Sequence, residues 1–405
     1  MNISITPKIL IINAGWWKSV SGGCTHLFEI GTRLQNKGIH VDYIIPTDAE
    51  YGDYMNKINN IKAFDPEVIG KGKDCEGTLA ISYLYWKRQR AIIKYIKKHK
   101  EEMKQYTHII CSSPFIYSLW PSVYLKKHIN PECKMIIYHH HTTQPSSGLR
   151  YQLAKIQERN AIKLEKRYFD LIITSNTIEQ EKLAKLTGKP VGVTSHGVSW
   201  EVIDTSYKTR KEEHSACFIG RLEKSKGVYD LIVAWDRIVY HPSRKYEDAI
   251  LHIIGKGVEE EKMKEAIDYM GLKDNVIFHG FVSEEEKYRI LLDSNVFLFP
   301  STQEGFGITL AEALSAGCDI VAFNLDHYEG IFGDHIKYVQ QGSWQDMAAQ
   351  IAKSFNSPYN FEKINDQVKW ARSKFNWDKV ATDNYNMWID TRAPAGASNK
   401  PRHSV

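Results

Sequence analysis

The sequence predicts an α/β protein with two doubly wound parallel-sheet domains. Short apolar runs alternate with helix-spaced segments along most of the chain. The strand-like runs are apolar throughout, which is typical of parallel sheets covered by helices on both faces. At 405 residues the chain exceeds what one hydrophobic core normally supports, so two such domains are expected.

Composition narrows the class of protein. The chain is 42% apolar and 25% charged, as in ordinary globular proteins, which excludes a disordered chain. Its 53 Lys and Arg residues exceed its 48 Asp and Glu residues only slightly. This balance favours an anionic ligand or surface. Nucleic acid is not expected as a partner, because no motif that reads DNA or RNA is present.

The first alternation begins with a strand, a loop at 15–23, a helix and a second strand, which together form a βαβ unit. Its predicted strands are 9–13, 41–45, 107–111, 134–138, 171–174 and 191–194. The polar, charged segment 200–214 is interpreted as the connection to the next domain. The predicted organisation is a first domain at 1–205, a second at 206–375, a helix at 376–391 that completes the first, and a flexible tail at 392–405.

The segment 301–317 carries two carboxylates around a glycine-flanked turn. An apolar strand precedes it at 295–300 and another follows at 319–323, so the unit is strand, loop, helix, strand. Glu304 is expected in the loop and Glu312 in the first turns of the helix, whose free amides favour an anion. An alternative is a capping box from Thr309 to Glu312, in which Glu312 only satisfies a backbone amide.

A basic turn lies upstream, between the predicted strand 216–219 and a helix beginning at Val228. Arg221 and Lys226 flank this turn, where a guanidinium and an ammonium can bind a diphosphate. A basic turn is also a common solvated surface. Together with the carboxylate loop of the same predicted sheet, it predicts a site for a nucleoside diphosphate.

These residues resemble those of the GT-B glycosyltransferases, and among them retaining family 4. The resemblance rests on Gly220-Arg221-Leu222 followed by Lys226-Gly227, and on Glu304 and Glu312 in a Glu-x7-Glu motif. It extends over most of residues 8–390 and includes strand-and-turn segments at 170–176, 195–198, 251–257 and 276–282.

The resemblance implies an enzyme that moves a hexose from a UDP- or GDP-linked sugar to a hydroxyl of a glycan, lipid or small molecule, with retention of configuration. It implies catalytic roles for His141, Arg221, Lys226 and Glu304. The implied donor-binding residues are Gly22, Gly23, Gly220, Arg221, Lys226, Gly255, Phe281, Val282, Glu304, Gly305, Phe306, Gly307, Ile308, Thr309 and Glu312. Glu304 would bind sugar hydroxyls and Glu312 the ribose, and backbone near Phe281 would receive the base. A nucleotide-sugar epimerase, a phosphorylase and an inactive sugar-nucleotide-binding subunit remain alternatives.

No carboxylate can be nominated as a covalent nucleophile, so front-face attack with the departing phosphate as base is expected. No cofactor and no obligatory metal are expected, because Arg221 and Lys226 supply positive charge and the chain has no Asp-x-Asp pair. Cys318-Asp319 and the segment 324–329 depart from the family pattern beside the donor-sugar pocket. The identity of the donor is therefore left open.

The first domain offers weaker candidates. Gly22 and Gly23 could let backbone approach a phosphate, or could be purely structural. His139, His140 and His141 follow a strand, where neighbouring side chains alternate in direction, so at most two could share a metal. By resemblance His141 is the strand-end histidine that contacts the donor sugar, with His140 as the alternative register.

Segment 86–100 is basic, with an apolar side formed by Ile92, Ile93 and Ile96. It fits an interfacial helix on anionic lipid or, as the favoured interpretation, a surface helix packed on the sheet. No apolar run approaches the ~20 residues of a membrane span, and the start of the chain lacks a signal-peptide pattern. A cytoplasmic protein is expected, with peripheral contact to the inner membrane face left open. The six scattered cysteines are expected to be reduced thiols, chiefly in the core.

Overall fold

A computed structural model of the chain describes residues 6–13, 22–46, 61–64, 78–140, 142–143, 148–199, 212–358 and 360–390. The chain forms two compact units, one made of 1–195 with 377–405 and the other of 196–376. The sequence placed this boundary at 205, within the connection expected at 200–214. Residues 200–211 of that connection lie outside the described part.

The first unit is built on a parallel seven-stranded sheet with the order β3-β2-β1-β4-β5-β6-β7. Its strands are β1 (Lys8–Ile12), β2 (His40–Pro46), β3 (Ile61–Phe64), β4 (His108–Cys111), β5 (Lys134–Tyr138), β6 (Leu171–Thr174) and β7 (Val191–Val193). The strand order runs outward in both directions from β1 and β4. The sheet is therefore doubly wound, as predicted.

The second unit is built on a parallel six-stranded sheet with the order β10-β9-β8-β11-β12-β13. Its strands are β8 (Ser215–Ile219), β9 (Ile250–Ile254), β10 (Val276–Gly280), β11 (Val296–Phe299), β12 (Asp319–Phe323) and β13 (Lys337–Val339). The order reverses between β8 and β11, which pair directly at Val296 with Ala216. Ligands of open α/β sheets bind outside the carboxyl ends of the strands at such a reversal.

Helices cover the sheets. In the described residues they are α1 (Gly22–Asn36), α2 (Thr78–Lys98), α3 (Lys100–Met103), α4 (Ile116–His128), α5 (Leu149–Tyr168), α6 (Thr177–Thr187), α7 (Val228–Val239), α8 (Glu260–Tyr269), α9 (Glu284–Asp293), α10 (Ile308–Ser315), α11 (Tyr328–Phe332), α12 (Trp344–Asn356), α13 (Phe361–Lys374) and α14 (Trp377–Ile389). Leu10 and Ile12 of β1 lie in one core cluster, while Ile9 and Ile11 lie in another. Both faces of the strand are buried, which is why the strand is apolar throughout.

Two strands were not anticipated from the sequence. β3 reads Ile-Lys-Ala-Phe and β13 reads Lys-Tyr-Val, and each lies at an outer edge of its sheet. Edge strands are short and tolerate lysine, because one side of the strand has no neighbour. The apolar-run signal that finds central strands is therefore weak in both.

The C-terminal helix α14 belongs to the first unit, where it packs on α1. Its Trp377 and Trp388 are buried, and Trp388 Nε1 donates to the hydroxyl of Tyr138 at 3.2 Å. These aromatic residues fill the core, as expected, and need no ligand role. The tail expected at 392–405 lies outside the described residues.

Cys111, Cys133, Cys217 and Cys318 are all buried and carry reduced thiols. Burial raises the pKa of the Cys111 and Cys133 thiols to about 12. Both therefore remain protonated and unreactive near neutral pH. Within the described residues, no helix combines the length and the apolar character required to cross a bilayer.

Candidate active site

The basic turn lies at the carboxyl end of β8. The chain leaves the strand at Gly220, passes through a 3₁₀ turn at Lys224–Lys226 and enters α7 through Gly227. Gly227 has φ 67° and approaches the β11 loop so closely that an added Cβ would lie 2.0 Å from the Pro300 carbonyl oxygen. Only glycine fits this position, and it holds the basic turn against the neighbouring loop.

The carboxylate loop leaves β11 at Pro300 and enters α10 through Gly307, which has φ 84°. Gly307 is the N-cap residue and offers no side-chain hydrogen bond, while Thr309 already lies inside the helix. The capping-box interpretation of Thr309 and Glu312 is therefore wrong, because the helix begins earlier than that motif requires. No acidic residue occupies the first turn of α10.

The two loops are joined by hydrogen bonds as well as by strand pairing. Thr302 donates to the Ser225 carbonyl from its amide at 2.9 Å and from its hydroxyl at 3.0 Å. Lys226 Nζ donates to Glu304 Oε1, and the Ser301 hydroxyl donates to the same oxygen at 3.1 Å. The structure thus brings together Lys226 and Glu304, which are 78 residues apart in sequence.

Arg221 is placed differently. Its side chain is 72% exposed and binds Glu223 through both terminal nitrogens, at 3.0 and 3.1 Å. An exposed pair of this kind is weak and easily exchanged. The guanidinium lies at the same turn as Lys226, but it binds Glu223 and not Glu304.

Glu312 lies on α10 and is nearly buried. Its Oε1 accepts a hydrogen bond from Lys287 of α9 at 2.8 Å, and Lys287 also binds Glu284 at 2.8 Å. Burial raises the pKa of the Glu312 carboxyl, and the charge of Lys287 offsets only part of that shift. Burial disfavours the charged form of Lys287, yet the carboxylates of Glu312 and Glu284 outweigh burial and raise its pKa.

The loops after β8, β9 and β10 converge on the same sheet edge. A Cβ on Gly255 would lie 2.0 Å from the Gly220 carbonyl oxygen, and one on Gly257 would lie 2.2 Å from that of Leu222. The Gly255 amide donates to the Gly280 carbonyl at 2.8 Å. This contact brings three backbone turns together, which leaves backbone groups and little side-chain bulk at that edge.

Phe281 follows this edge and is 76% exposed, with Lys256 Nζ 5.9 Å from the centre of its ring. An exposed aromatic side chain beside a cation offers a face for stacking. Val282, the next residue, instead packs against a buried core cluster.

Phe306 and its neighbours take different positions. Its ring packs on Phe332 and Phe375, with centroid distances of 5.8 and 5.9 Å, so the side chain faces the core. Ile308 packs against the same cluster, while Gly305 and Thr309 are partly exposed. Only the backbone of Phe306 is therefore available to a ligand.

Sequence reasoning missed Lys287 and Tyr328. Lys287 lies four residues after the N-cap Ser283 and has the pattern of an ordinary i,i+3 partner of Glu284, so its contact with Glu312 carried no local signal. Tyr328 is fully buried, and its hydroxyl has no hydrogen-bond partner among the described residues. That oxygen would lie 3.3 Å from a Cβ on Gly307, and burial together with the charge of Glu304 raises the pKa of the phenol.

The two departures from the family pattern have structural explanations. Cys318 is buried, and its thiol donates to the Leu291 carbonyl at 3.1 Å. Asp319 opens β12 and pairs with Lys337 of β13. The segment 324–329 brings Tyr328 into the core beside the carboxylate loop.

Candidates of the first unit are less defined. Gly22 and Gly23 form the first turn of α1, so the loop expected to extend to residue 23 is shorter than predicted. Glycine is tolerated there because the first helical amides need no intrahelical partner.

His139 is buried and its Nδ1 lies 2.9 Å from Glu165 Oε1, as suits a core histidine. The carbonyl of His140 accepts from Ser175 at 2.8 Å, whereas His141 lies outside the described residues.

The chain is similar in sequence and in fold to known glycosyltransferases. Residues 201–374 match the family model described as Glycosyl transferases group 1. An uncharacterized glycosyltransferase of Methanocaldococcus jannaschii is 27% identical over 201 residues, which are 47% of this chain and 49% of that protein. The chain spans about half or less of the length of the first curated relatives it matches.

Two solved structures illustrate the fold. The sucrose-phosphate synthase of Thermosynechococcus elongatus has a TM-score of 0.72 at 16% identity, covering 95% of this chain and 98% of its own. The pneumococcal O-GlcNAc transferase in complex with UDP and GlcNAc has a TM-score of 0.66 at 12% identity, covering 96% and 99%. At these identities the likeness shows the fold, which is GT-B as predicted.

Proposed function

We propose that the protein is a retaining glycosyltransferase of family 4 that moves a hexose from a UDP- or GDP-linked sugar to a hydroxyl of a glycan, lipid or small molecule. The observation that carries this proposal is the Lys226–Glu304 pair, held where the strand order of the second sheet reverses. The family match of residues 201–374 supports it, as does the UDP in the related pneumococcal structure.

The diphosphate would bind between the basic turn and the start of α10. Lys226 is only 14% exposed, so water screens its charge weakly. A diphosphate would share Lys226 with Glu304 and attract the exposed Arg221 away from Glu223. The free amides of α10 would add partial positive charge, since no acidic side chain competes in its first turn. These groups together would stabilise the charge of the leaving group.

The sugar and nucleoside would occupy either side of that diphosphate. Glu304 would accept hydrogen bonds from sugar hydroxyls, with the backbone of Gly305, Phe306 and Gly307 beside it. Glu312 would bind the ribose hydroxyls, and the base would lie near Phe281. Gly22, Gly23 and His141 keep the donor-site roles implied by the resemblance, as proposals.

In the transfer step the bond between the anomeric carbon and the phosphate oxygen breaks and a bond to the acceptor oxygen forms. The acceptor hydroxyl attacks from the face that the phosphate leaves, and its proton passes to the departing phosphate. Configuration is therefore retained and no covalent enzyme intermediate is formed. Lys226 and Arg221 supply the positive charge, so we propose no obligatory metal or cofactor.

Product analysis with a panel of UDP and GDP sugars tests the proposal. We expect slow release of free sugar and nucleoside diphosphate without acceptor, and NMR of the fresh product should show the anomer of the donor. Formation of a new nucleotide sugar would instead identify an epimerase. Calorimetric binding of nucleotide sugars without any turnover would identify an inactive binding protein.

We also propose a cytoplasmic setting. Cell fractionation tests it: the protein should be recovered in the cytosol or released from membranes by salt. Recovery only after detergent extraction would contradict it.

A further inference from the structure

Helices α2 and α4 form one continuous surface of the first unit. Tyr85 of α2 packs edge-on against Tyr117 of α4 with a centroid distance of 4.5 Å, and Lys97 Nζ lies 5.3 Å from the ring of Tyr124. These contacts lie near the two ends of the helix pair. The exposed sides of the two helices are therefore neighbours along their length.

The inner side of α2 is not available to a partner. Ile92 and Ile96 are fully buried in the core, so the apolar stripe found in the sequence packs on the sheet, as the favoured interpretation expected. A membrane contact that inserts these isoleucines is excluded, because it would require the helix to leave its core.

The outer side of the pair is aromatic and basic. Tyr83, Trp86 and Trp120 are 57%, 45% and 44% exposed. The exposed cations of α2 are Arg90, Lys94, Lys97 and Lys98. Tyr83, Trp86, Arg90, Lys94 and Lys97 recur at three- and four-residue spacing, which places them in one stripe of the helix.

Neither α2 nor α4 contains an aspartate or a glutamate. This differs from the chain as a whole, in which acidic residues nearly balance the basic ones. The Arg90 guanidinium lies 4.7 Å from the centre of the Trp86 ring, so cation and aromatic side chain share the same surface. Lys126 and Lys127 extend the positive charge to the last turn of α4.

We infer that the outer surface of α2 and α4 binds the headgroup region of an anionic lipid bilayer. Tryptophan and tyrosine favour the membrane–water interface, since their rings are apolar and their N–H or O–H groups remain hydrated. Lysine and arginine add attraction to acidic headgroups. A glycan-binding surface would combine aromatic rings with carboxylates that accept hydrogen bonds from sugar hydroxyls. These two helices carry no carboxylate side chain.

The inference does not depend on the proposed transferase activity. Each cation near an acidic bilayer strengthens binding roughly fivefold at moderate salt, and the effect fades as the Debye length shortens. Binding should therefore require acidic lipid and should decrease steeply with ionic strength. The aromatic rings should add a contribution that salt does not remove.

Cosedimentation of the full chain with vesicles tests this surface. The vesicles are phosphatidylcholine alone or phosphatidylcholine with about one third phosphatidylglycerol, an acidic lipid that supplies the negative surface potential. We expect binding only to the acidic vesicles. Combined replacement of Arg90, Lys94, Lys97 and Lys98 by glutamine should weaken partitioning by roughly several hundredfold, since each of the four cations contributes about fivefold.

The matched control replaces Lys245, Lys262, Lys273 and Lys353 of the second unit by glutamine, which removes the same charge from exposed positions of the other unit. We expect it to bind acidic vesicles like the unmodified chain after correction for net charge. Equal loss in both variants, or binding to neutral vesicles alone, would overturn the inference. Thermal melting of both proteins checks that each is folded, and the pair Arg90→Gln with Lys94→Gln serves if the fourfold variant is not.

A second variant separates a bilayer from a soluble polyanion. Trp86→Ser with Trp120→Ser should weaken vesicle binding several-fold at high salt and leave retention on a heparin column unchanged. If this variant binds vesicles normally while the fourfold variant loses heparin and vesicles alike, the surface binds polyanions in general and the bilayer assignment is wrong.

Discussion

The second unit contains two lysine–glutamate ion pairs, Lys226 with Glu304 and Lys287 with Glu312, and they differ in setting. Lys226 and Glu304 lie on two loops at the carboxyl edge of the sheet, 14% and 20% exposed. Lys287 and Glu312 lie on two helices and are each 11% exposed, and Glu284 adds a second carboxylate. The loop pair can exchange partners with an incoming anion. The Lys287–Glu312 pair is part of the packing, so a ligand that binds Glu312 must share this carboxylate with Lys287.

The largest expected effect is on stability, and it concerns the Lys287–Glu312 pair. Lys287→Met removes the one hydrogen-bond partner that the described residues give the buried Glu312 carboxylate, and it should lower the free energy of unfolding by about 3 kcal/mol or more. The matched control is Lys287→Arg, which keeps the charge and should cost much less. Urea unfolding of both proteins measures the difference.

The same variant has a defined pH dependence. Burial holds the folded-state pKa of Glu312 above its ordinary value, and loss of Lys287 should raise it further. A carboxyl whose pKa is raised on folding contributes stability below its unfolded pKa, and that stability is lost as pH rises through the folded pKa. The deficit of Lys287→Met should therefore grow as pH rises from about 4.5. A deficit independent of pH would contradict this account.

The next effect is on turnover and belongs to the loop pair. Lys226→Ala should lower turnover with a competent donor by roughly two orders of magnitude, because a charged contact to the leaving group is lost. Lys224→Ala, an exposed cation of the same turn, is the matched control and should be nearly normal. Melting within a few degrees of the unmodified protein should accompany both. Normal turnover of Lys226→Ala would remove this lysine from the diphosphate site.

Replacement of Glu304 and of Glu312 should weaken the binding of different ligands. Glu312→Gln should weaken free nucleoside diphosphate and donor alike, because ribose is common to both and a charged hydrogen bond contributes about 1.5–3 kcal/mol. Glu304→Gln should weaken only ligands that carry the sugar. Calorimetry of both variants with nucleotide and with nucleotide sugar decides the assignment. The opposite pattern would show that the roles implied by the resemblance are wrong.

The smallest effect concerns Tyr328, which lies beside the loop pair. Tyr328→Phe removes a buried hydroxyl that has no hydrogen-bond partner in the described part of the chain, so stability should rise by up to about 1 kcal/mol. Tyr246→Phe is the control, since its hydroxyl accepts from Asn356 at 2.7 Å and its loss should be destabilising. If Tyr328→Phe instead weakens donor sugar and leaves free nucleotide unaffected, the hydroxyl is a ligand contact that selects the sugar.

The central strands could be predicted from the sequence. The sequence also predicted that the basic turn and the carboxylate loop belong to one sheet. Buried parallel strands are apolar on both faces, so β1, β5, β8 and β12 are recognisable without their neighbours. The edge strands β3 and β13 could not be recognised in this way, because a strand with one neighbour tolerates lysine. The start of α1 was also misplaced, since glycine residues usually indicate a loop.

The sequence by itself determined the residue types at the candidate site: a basic turn and a Glu-x7-Glu loop, each after an apolar strand. These are local signals, carried by a few adjacent residues. Only the tertiary structure decided the partners: Lys226 for Glu304, Lys287 for Glu312, Glu223 for Arg221 and a buried position for Tyr328. Side-chain partners depend on which elements the sheet order makes neighbours and on how deeply each group is buried, and neither property is encoded in local spacing.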